Sequence, residues 1–344
     1  MKQGTPLPGF SFRYDNRKQM SRAGSISQVK RQFIRIVIAL AVCIAAWLVY
    51  RALGRYSIAD IRASMGEIPA WRIASGFGFV IGSYVCLSWF DMLALKYVGR
   101  PLPYRKAALT SFTALSIGHN IGVAALSSGT VRYRFYARWG LSGEQVAKVI
   151  LFCGVTVALG LMTLAGLALV LQPGDGLDLL ELDGDAKRAL GFLLLVGPVL
   201  YVGFCAKVRR TLHVRSWRLE PPTAEIAIAQ VAIGTANFAC VAAALYQLMT
   251  AFTDAGYLEV AAAYVTAMLA AILSHVPGGL GVLEAAMLSL MPASASIGAL
   301  VVFRALYYFV PLLIGVPLLI ASEAYFRRRP VRSAQQPQRQ PREA

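Results

Sequence analysis

Long apolar runs bound what this chain can fold into more tightly than any other feature. Phe33 to Leu53, Val146 to Leu171 and Ile297 to Ser322 are each long enough for the ~20 residues that cross a hydrocarbon core. In hydrocarbon every backbone N–H and C=O must find a partner inside the protein, so such runs fold as helices. Apolar residues make up 57% of the 344, and the connections between runs are too short to hold a soluble core. The expected class is an all-α polytopic membrane protein. A net charge of +17 would suit nucleic acid in a soluble protein. Here positive-inside bias and anionic lipid account for it, and no basic element accompanies a nucleic-acid reader motif.

Two Gly-rich breaks interrupt the apolar pattern: Ile117-Gly118-His119-Asn120-Ile121-Gly122-Val123 and Val276-Pro277-Gly278-Gly279-Leu280-Gly281-Val282. Opened backbone at membrane depth is tolerated only where protein or a water-filled cavity shields it. One break in each half points to a transport pathway between halves built on one plan. The two runs align without a gap, a weak internal echo.

Charge sets the expected topology. The tail before the first span carries Lys2, Arg13, Arg17, Lys18, Arg22, Lys30 and Arg31, and the last span exits into Arg327-Arg328-Arg329, so both termini are expected in the cytoplasm. Two basic loops, Lys96 to Lys106 and Lys207 to Arg218, belong on the same side. Gln172 to Asp185 carries Asp175, Asp178, Glu181, Asp183 and Asp185 without a base, and belongs outside. Spans near Trp71 to Leu95, Val146 to Leu171, Lys187 to Lys207 and Ala224 to Phe252 then alternate in direction. Ala107 to Phe135 must begin and end inside, and Leu258 to Met291 must begin and end outside. Each is expected to be a re-entrant helical hairpin. The halves thus become inverted repeats, each of three spanning helices plus one hairpin. Kinked full-length helices are the alternative; they would place Arg132, Arg134 and Arg138 outside. Ile58, Ile61, Met65 and Ile68 recur at helical spacing before Pro69, which predicts a short amphipathic helix at the outer interface.

The first 32 residues are polar and basic, and the span after them is too long for a cleaved signal peptide. This tail and the Gln/Pro/Arg-rich end are expected to be disordered. Five cysteines (Cys43, Cys86, Cys153, Cys205, Cys240) fall in apolar runs and read as packing residues. The histidines His119, His213 and His275 lack metal-ligand spacing, and neither a phosphate-binding loop, a zinc-protease pair nor a nucleophile elbow is present. No metal, cofactor or enzymatic activity is expected.

Polar groups at membrane depth are costly and tend to face a pathway. The first break offers Ser116, His119 and Asn120; the second offers Ser274, His275 and Glu284. His119 with Asn120 either contacts substrate or ties the hairpin to a neighbour. Glu284 needs a partner, and Arg304 is the nearest candidate. Asp91 lies near the end of its span, within reach of water by snorkelling. Ser127 to Tyr136 places hydroxyls before arginines that alternate with aromatics, either a phosphate clamp at the cytoplasmic face or plain interfacial anchoring.

Gly118 to Gly122, Ser128-Gly129 with Arg132-Tyr133, the run from Ser274 to Glu284, and Arg304 with Tyr307, Tyr308 and Pro311 resemble the lysylphosphatidylglycerol synthase transmembrane-domain family. These are flippase-like bacterial integral membrane proteins. The resemblance covers roughly Phe33 to Phe326, and the Ser274 to Glu284 run is its most specific part. It implies a flippase-like domain over 33–326, with halves of about 33–172 and 187–326 between basic tails at 1–32 and 327–344. In two-part members this region is thought to flip an aminoacylated phosphatidylglycerol made by a separate soluble domain. That aminoacyltransferase domain has no counterpart here, so the synthase reaction is not expected. The resemblance implies a flippase or scramblase for a phospholipid or related amphiphile in the bacterial inner membrane. The candidate substrate contacts are Ser128, Arg132, Tyr133, Arg134, His119, Asn120, His275, Glu284, Arg304 and Tyr308. Gly118, Gly122, Pro277, Gly278, Gly279 and Gly281 form the backbone breaks. Two other readings stay open: a non-transporting partner of a lipid-modifying enzyme, and a membrane-embedded lipid-modifying enzyme.

Overall fold

Ser142, Asp183 and Thr223 each precede an apolar run, and each caps a helix. Ser142 and Gln145 form a reciprocal capping box: the Gln145 N–H donates to Ser142 Oγ (3.2 Å) and the Ser142 N–H to Gln145 Oε1 (2.9 Å). Asp183 accepts from the Ala186 N–H at 2.8 Å, and Thr223 from the Ile226 N–H at 3.4 Å. The computed structural model describes residues 58–121, 124–172, 183–208, 212–214, 217–274, 276–291 and 297–328. Contacts divide the chain into units Met1–Val49 and Tyr50–Ala344, and all described residues lie in the second. The first apolar run, the acidic segment 173–182 and both tails lie outside the described residues.

The element order is helical almost throughout. The helices are α1 (Ile58–Glu67), α2 (Ala70–Tyr97), α3 (Tyr104–Ile121), α4 (Ala124–Arg138), α5 (Gly143–Leu171) and α6 (Gly184–Lys207). After them come strands β1 (Leu212–Val214) and β2 (Trp217–Leu219), then α7 (Ala224–Met249), α8 (Tyr257–Ser274) and α9 (Val282–Leu290). Helix α10 (Ile297–Arg304) passes through a π-helical turn (Ala305–Phe309) into α11 (Val310–Arg328). Among the described residues, six helices are long and apolar enough to cross a membrane: α2, α5, α6, α7, α8 and the continuous Ile297–Phe326 segment. The two short strands depart from the all-helical expectation. They pair antiparallel with Leu212 opposite Leu219 and Val214 opposite Trp217, within a segment read only for its basic charge.

Both segments expected to be broken are divided. Helices α3 and α4 pack on each other. Lys106, at the start of α3, lies 5.2 Å from the Trp139 ring, just past the end of α4. Helices α8 and α9 also pack together, joined by a 3-10 turn at Pro277–Gly279. At the first break the helix ends at Ile121, inside the expected Ile117 to Val123 run. Gly118 is a buried residue inside α3, which runs on to Ile121, so Gly118 does not open the backbone. A helix tolerates an interior Gly at a cost of about 1 kcal/mol.

Small and polar residues draw the spans together, as expected where lipid tails remove the hydrophobic drive for helix association. Helices α5 and α7 touch backbone to backbone: a Cβ on Gly160 would lie 2.4 Å from the Gly234 carbonyl. Beside this contact the buried Gln230 side chain donates to Thr156 Oγ1 (2.9 Å) and accepts from Tyr201 Oη (2.7 Å), tying α5, α6 and α7. Ser83 donates to Asn237 Oδ1 at 2.7 Å, tying α2 to α7. Gly160→Ala should therefore destabilise the protein by about 1–3 kcal/mol through overpacking, seen as a lower melting temperature in detergent. Gly154→Ala, on the same helix but facing open space, should leave the transition unchanged or raise it.

Candidate functional site

Three glycines carry the second break because only they adopt its backbone cheaply. Gly278, Gly279 and Gly281 have φ of 61°, 58° and 84°. The turn they make leaves carbonyls outside any helical ladder, and Arg304 takes up two of them. Its Nη1 donates to Gly278 O at 2.7 Å and its Nη2 to Gly279 O at 2.9 Å. The same guanidinium pairs with Glu284 through Nε to Oε1 and through Nη2 to Oε2 at 3.0 Å. Glu284 also accepts from the Gly281 N–H at 2.9 Å, which caps the start of α9. The positive end of that helix is thus filled by the protein's own carboxylate. Arg304 is 1% exposed and lies 4.8 Å from the Tyr308 ring.

The opposite wall is the end of α3. A Cβ on Gly278 would sit 3.4 Å from His119 O and 3.6 Å from Asn120 O, so the second break meets the carbonyl end of α3 directly. Asn120 Nδ2 donates to Ser116 O (2.9 Å) and to Tyr308 O (3.4 Å), the tie to a neighbouring helix. The Tyr307 carbonyl is available because the last span departs from α-helical hydrogen bonding here. Pro311 has no N–H to return to Tyr307 O four residues back, and the Val310 N–H reaches back to Ala305 O in a π turn. Tyr84 Oη donates to the Tyr307 carbonyl at 3.3 Å. π turns inside helices occur often at functional sites.

His119 sits in a ring of aromatics at this meeting point. Its imidazole stacks on Tyr307 (centroids 5.8 Å, planes 15° apart) and lies 6.4 Å from the Tyr84 ring and 6.3 Å from the Tyr308 ring. Its Nδ1 is buried and has no hydrogen-bond partner. Such a group costs about 1–3 kcal/mol, and in a native protein it calls for an explanation.

The second candidate stretch does not converge on one point. Successive residues of α4 face directions about 100° apart. Arg132 turns inward onto Asp91, with Nε to Oδ1 at 2.9 Å and Nη2 to Oδ2 at 2.8 Å, and its Nη1 donates to Ser128 Oγ at 3.0 Å. Tyr136 completes this cluster by donating to Asp91 Oδ1 at 2.6 Å. Tyr133 points out, 53% exposed. Arg134 pairs with Glu323 on α11 at 2.7 Å, and Arg138 reaches the same carboxylate at 2.8 Å. Asp91 does not snorkel: it is 0% exposed and held by its ion pair. Tyr84 and Glu323, absent from the sequence-based set, are structurally central, and Tyr136, read only as part of the Ser127 to Tyr136 stretch, joins the Asp91 cluster; Pro311 within an apolar span was the signal that could have pointed to the π turn beside Tyr84. His275 and Gly122 lie outside the described residues. Among the described residues no cluster of His, Cys, Asp and Glu could hold a metal ion, and Cys86, Cys153, Cys205 and Cys240 are free thiols.

Residues 36–315 match the family described as the lysylphosphatidylglycerol synthase TM region. The chain belongs to this family. It is 30% identical over 260 residues to the inner membrane protein YbhN of Escherichia coli, covering 73% of this chain and 81% of that one. It is 29% identical over 264 residues to the uncharacterized protein slr0712 of Synechocystis, covering 76% and 82%. The matched region contains both breaks, the Asp91 cluster and Arg304.

Glu284→Gln leaves a buried guanidinium short of its counter-charge, at a cost of about 3–5 kcal/mol. Arg304→Gln should cost a similar amount by stranding Glu284 and the turn carbonyls. Because the two act on one network, the double variant should be less unstable than the sum of the singles. Melting curves of the four proteins in detergent check this, and additive losses would refute the coupling.

Proposed function

We propose that the protein is a flippase or scramblase that carries the headgroup of a phospholipid or related amphiphile past the meeting point of the two breaks. The observation that carries this reading is a buried polar junction set among membrane-crossing helices. It contains a neutralised Glu284–Arg304 pair and a His119 nitrogen without a partner. In such surroundings a headgroup hydroxyl or ammonium gains a strong hydrogen bond to His119, while the tails remain in lipid.

In this reading the α3–α4 and α8–α9 pairs are re-entrant hairpins from opposite faces, and the halves are inverted repeats. The packing pattern supports it: α3 packs on α2 and on α11, and α8 packs correspondingly on α7 and on α5. Rocking of one half against the other would expose the junction alternately. The similarity to an inner membrane protein supports a bacterial inner membrane location, with both termini cytoplasmic. The lipid would be moved without chemical change.

Proteoliposomes containing the protein should speed dithionite quenching of a fluorescent phosphatidylglycerol relative to protein-free vesicles. His119→Phe keeps the ring stacking and removes the nitrogen. It should slow flipping about tenfold, the loss expected for one hydrogen bond of ~1.4 kcal/mol, with a melting temperature no lower than that of the unsubstituted protein. No acceleration with phosphatidylglycerol, phosphatidylethanolamine or phosphatidylcholine would reject the carrier reading. The hairpin arrangement has its own check. In a cysteine-free background, Tyr133→Cys should label from the cytoplasm and Gly174→Cys from the outside. Labelling from one side would overturn the inverted plan.

A further inference from the structure

A groove of about 290 Å³ opens on the outer side of Tyr84. Its floor is Val80, Tyr84 and Pro311, and Ala108 and Phe112 of α3 form one wall. Ile314 of α11 forms the other. Two of the three helices that bound it, α2 and α11, belong to membrane-crossing segments, so the medium that fills its mouth is hydrocarbon. From Phe77 to Ser88 it follows about 16 Å of α2, close to half of a ~30 Å hydrocarbon core and so to the depth of one leaflet. It is centred on the middle of α2, not on either end, and a hydrogen bond between Ser88 and Tyr104 hydroxyls (2.7 Å) closes the end nearer the α2 C-terminus.

Tyr84 touches both this groove and the polar junction. Tyr84 lines the groove, while the same ring lies 5.7 Å from Tyr307 and 6.4 Å from His119. We propose that the groove is an acyl-chain site, which holds one tail of a phospholipid beside the protein while its headgroup occupies the His119 junction on the inner side of Tyr84. The inference rests on the carrier reading for its purpose, but the groove's occupancy is measurable without transport. The length of one leaflet, the apolar walls and the placement at mid-depth suit a tail in transit. A lipid resting in one leaflet would instead lie toward one end of α2.

The test uses the full-length protein in vesicles that contain phosphatidylglycerol with a photoreactive diazirine midway along one acyl chain. After illumination, mass spectrometry of the digested protein locates the label. Label should concentrate on Phe112 and Tyr84 over Leu193 and Val199 of α6, although these α6 residues are 67% and 69% exposed. Ala108→Trp, which fills the groove, should lower the groove label about tenfold, the loss expected when roughly two buried methylenes give up their contacts. Label on α6 should not change. Groove label no greater than that on α6, or indifferent to Ala108→Trp, overturns the proposal. If Ala108→Trp fails to fold, Ile314→Trp fills the groove from the opposite wall, and the wild-type map decides by itself if both fail. Groove label without flipping rejects the carrier reading and supports the site; flipping without groove label rejects the site alone.

Discussion

Arg304 holds this architecture together at its least favourable point. Backbone opened away from water leaves carbonyls that cost about 1–3 kcal/mol each unless they find a partner. The turn at Pro277–Gly279 does this, and one guanidinium takes up two of the exposed oxygens while neutralising its own charge on Glu284. Glu284 in turn caps the helix that restarts beyond the turn. Each element of the network is tolerable only because the others are present. The planar fork of Arg suits this arrangement where a Lys point charge would not.

The same economy recurs at the last span. Pro311 and the π turn free the Tyr307 carbonyl, which Tyr84 occupies, and Asn120 reaches the neighbouring Tyr308 carbonyl. An intrahelical defect thus becomes an interhelical bond. That ties the end of α3 to the last span at the level where the Gly278 turn arrives, and it places His119 among three tyrosine rings. Further out, the Asp91–Arg132 pair and the shared Glu323 secure α4 to α2 and α11. Helix α4 is therefore held by charge to α2 and α11, and the end of α3 by the Asn120 side chain to the last span.

Much of the helical plan was legible because its signals are local. The observed limits of α2, α5, α6 and α7 lie within a few residues of the apolar runs, and Ile58–Glu67 forms the short helix that its periodicity predicted. The second break fell where three glycines require positive φ. At the first, Gly118 stays helical and the interruption comes only after Ile121. Reading Arg132, Tyr133 and Arg134 as one clamp overlooked the helical turn between neighbours, which sends them toward α2, outward and toward α11.

By itself the sequence determined that this is a membrane-embedded helical protein with two interruptions and a few ionisable groups at depth. Length, apolar content and glycine chemistry suffice for that. Only the tertiary structure decided which ions pair, since Asp91 and Arg132 are 41 residues apart and Arg134 and Glu323 still further. It alone decided that Gly278 meets the end of α3 and that Tyr84 touches both a groove and the His119 junction. Such facts depend on which helix faces pack together. In lipid that choice follows from close steric fit and hydrogen bonds among distant segments, which no single stretch of chain encodes.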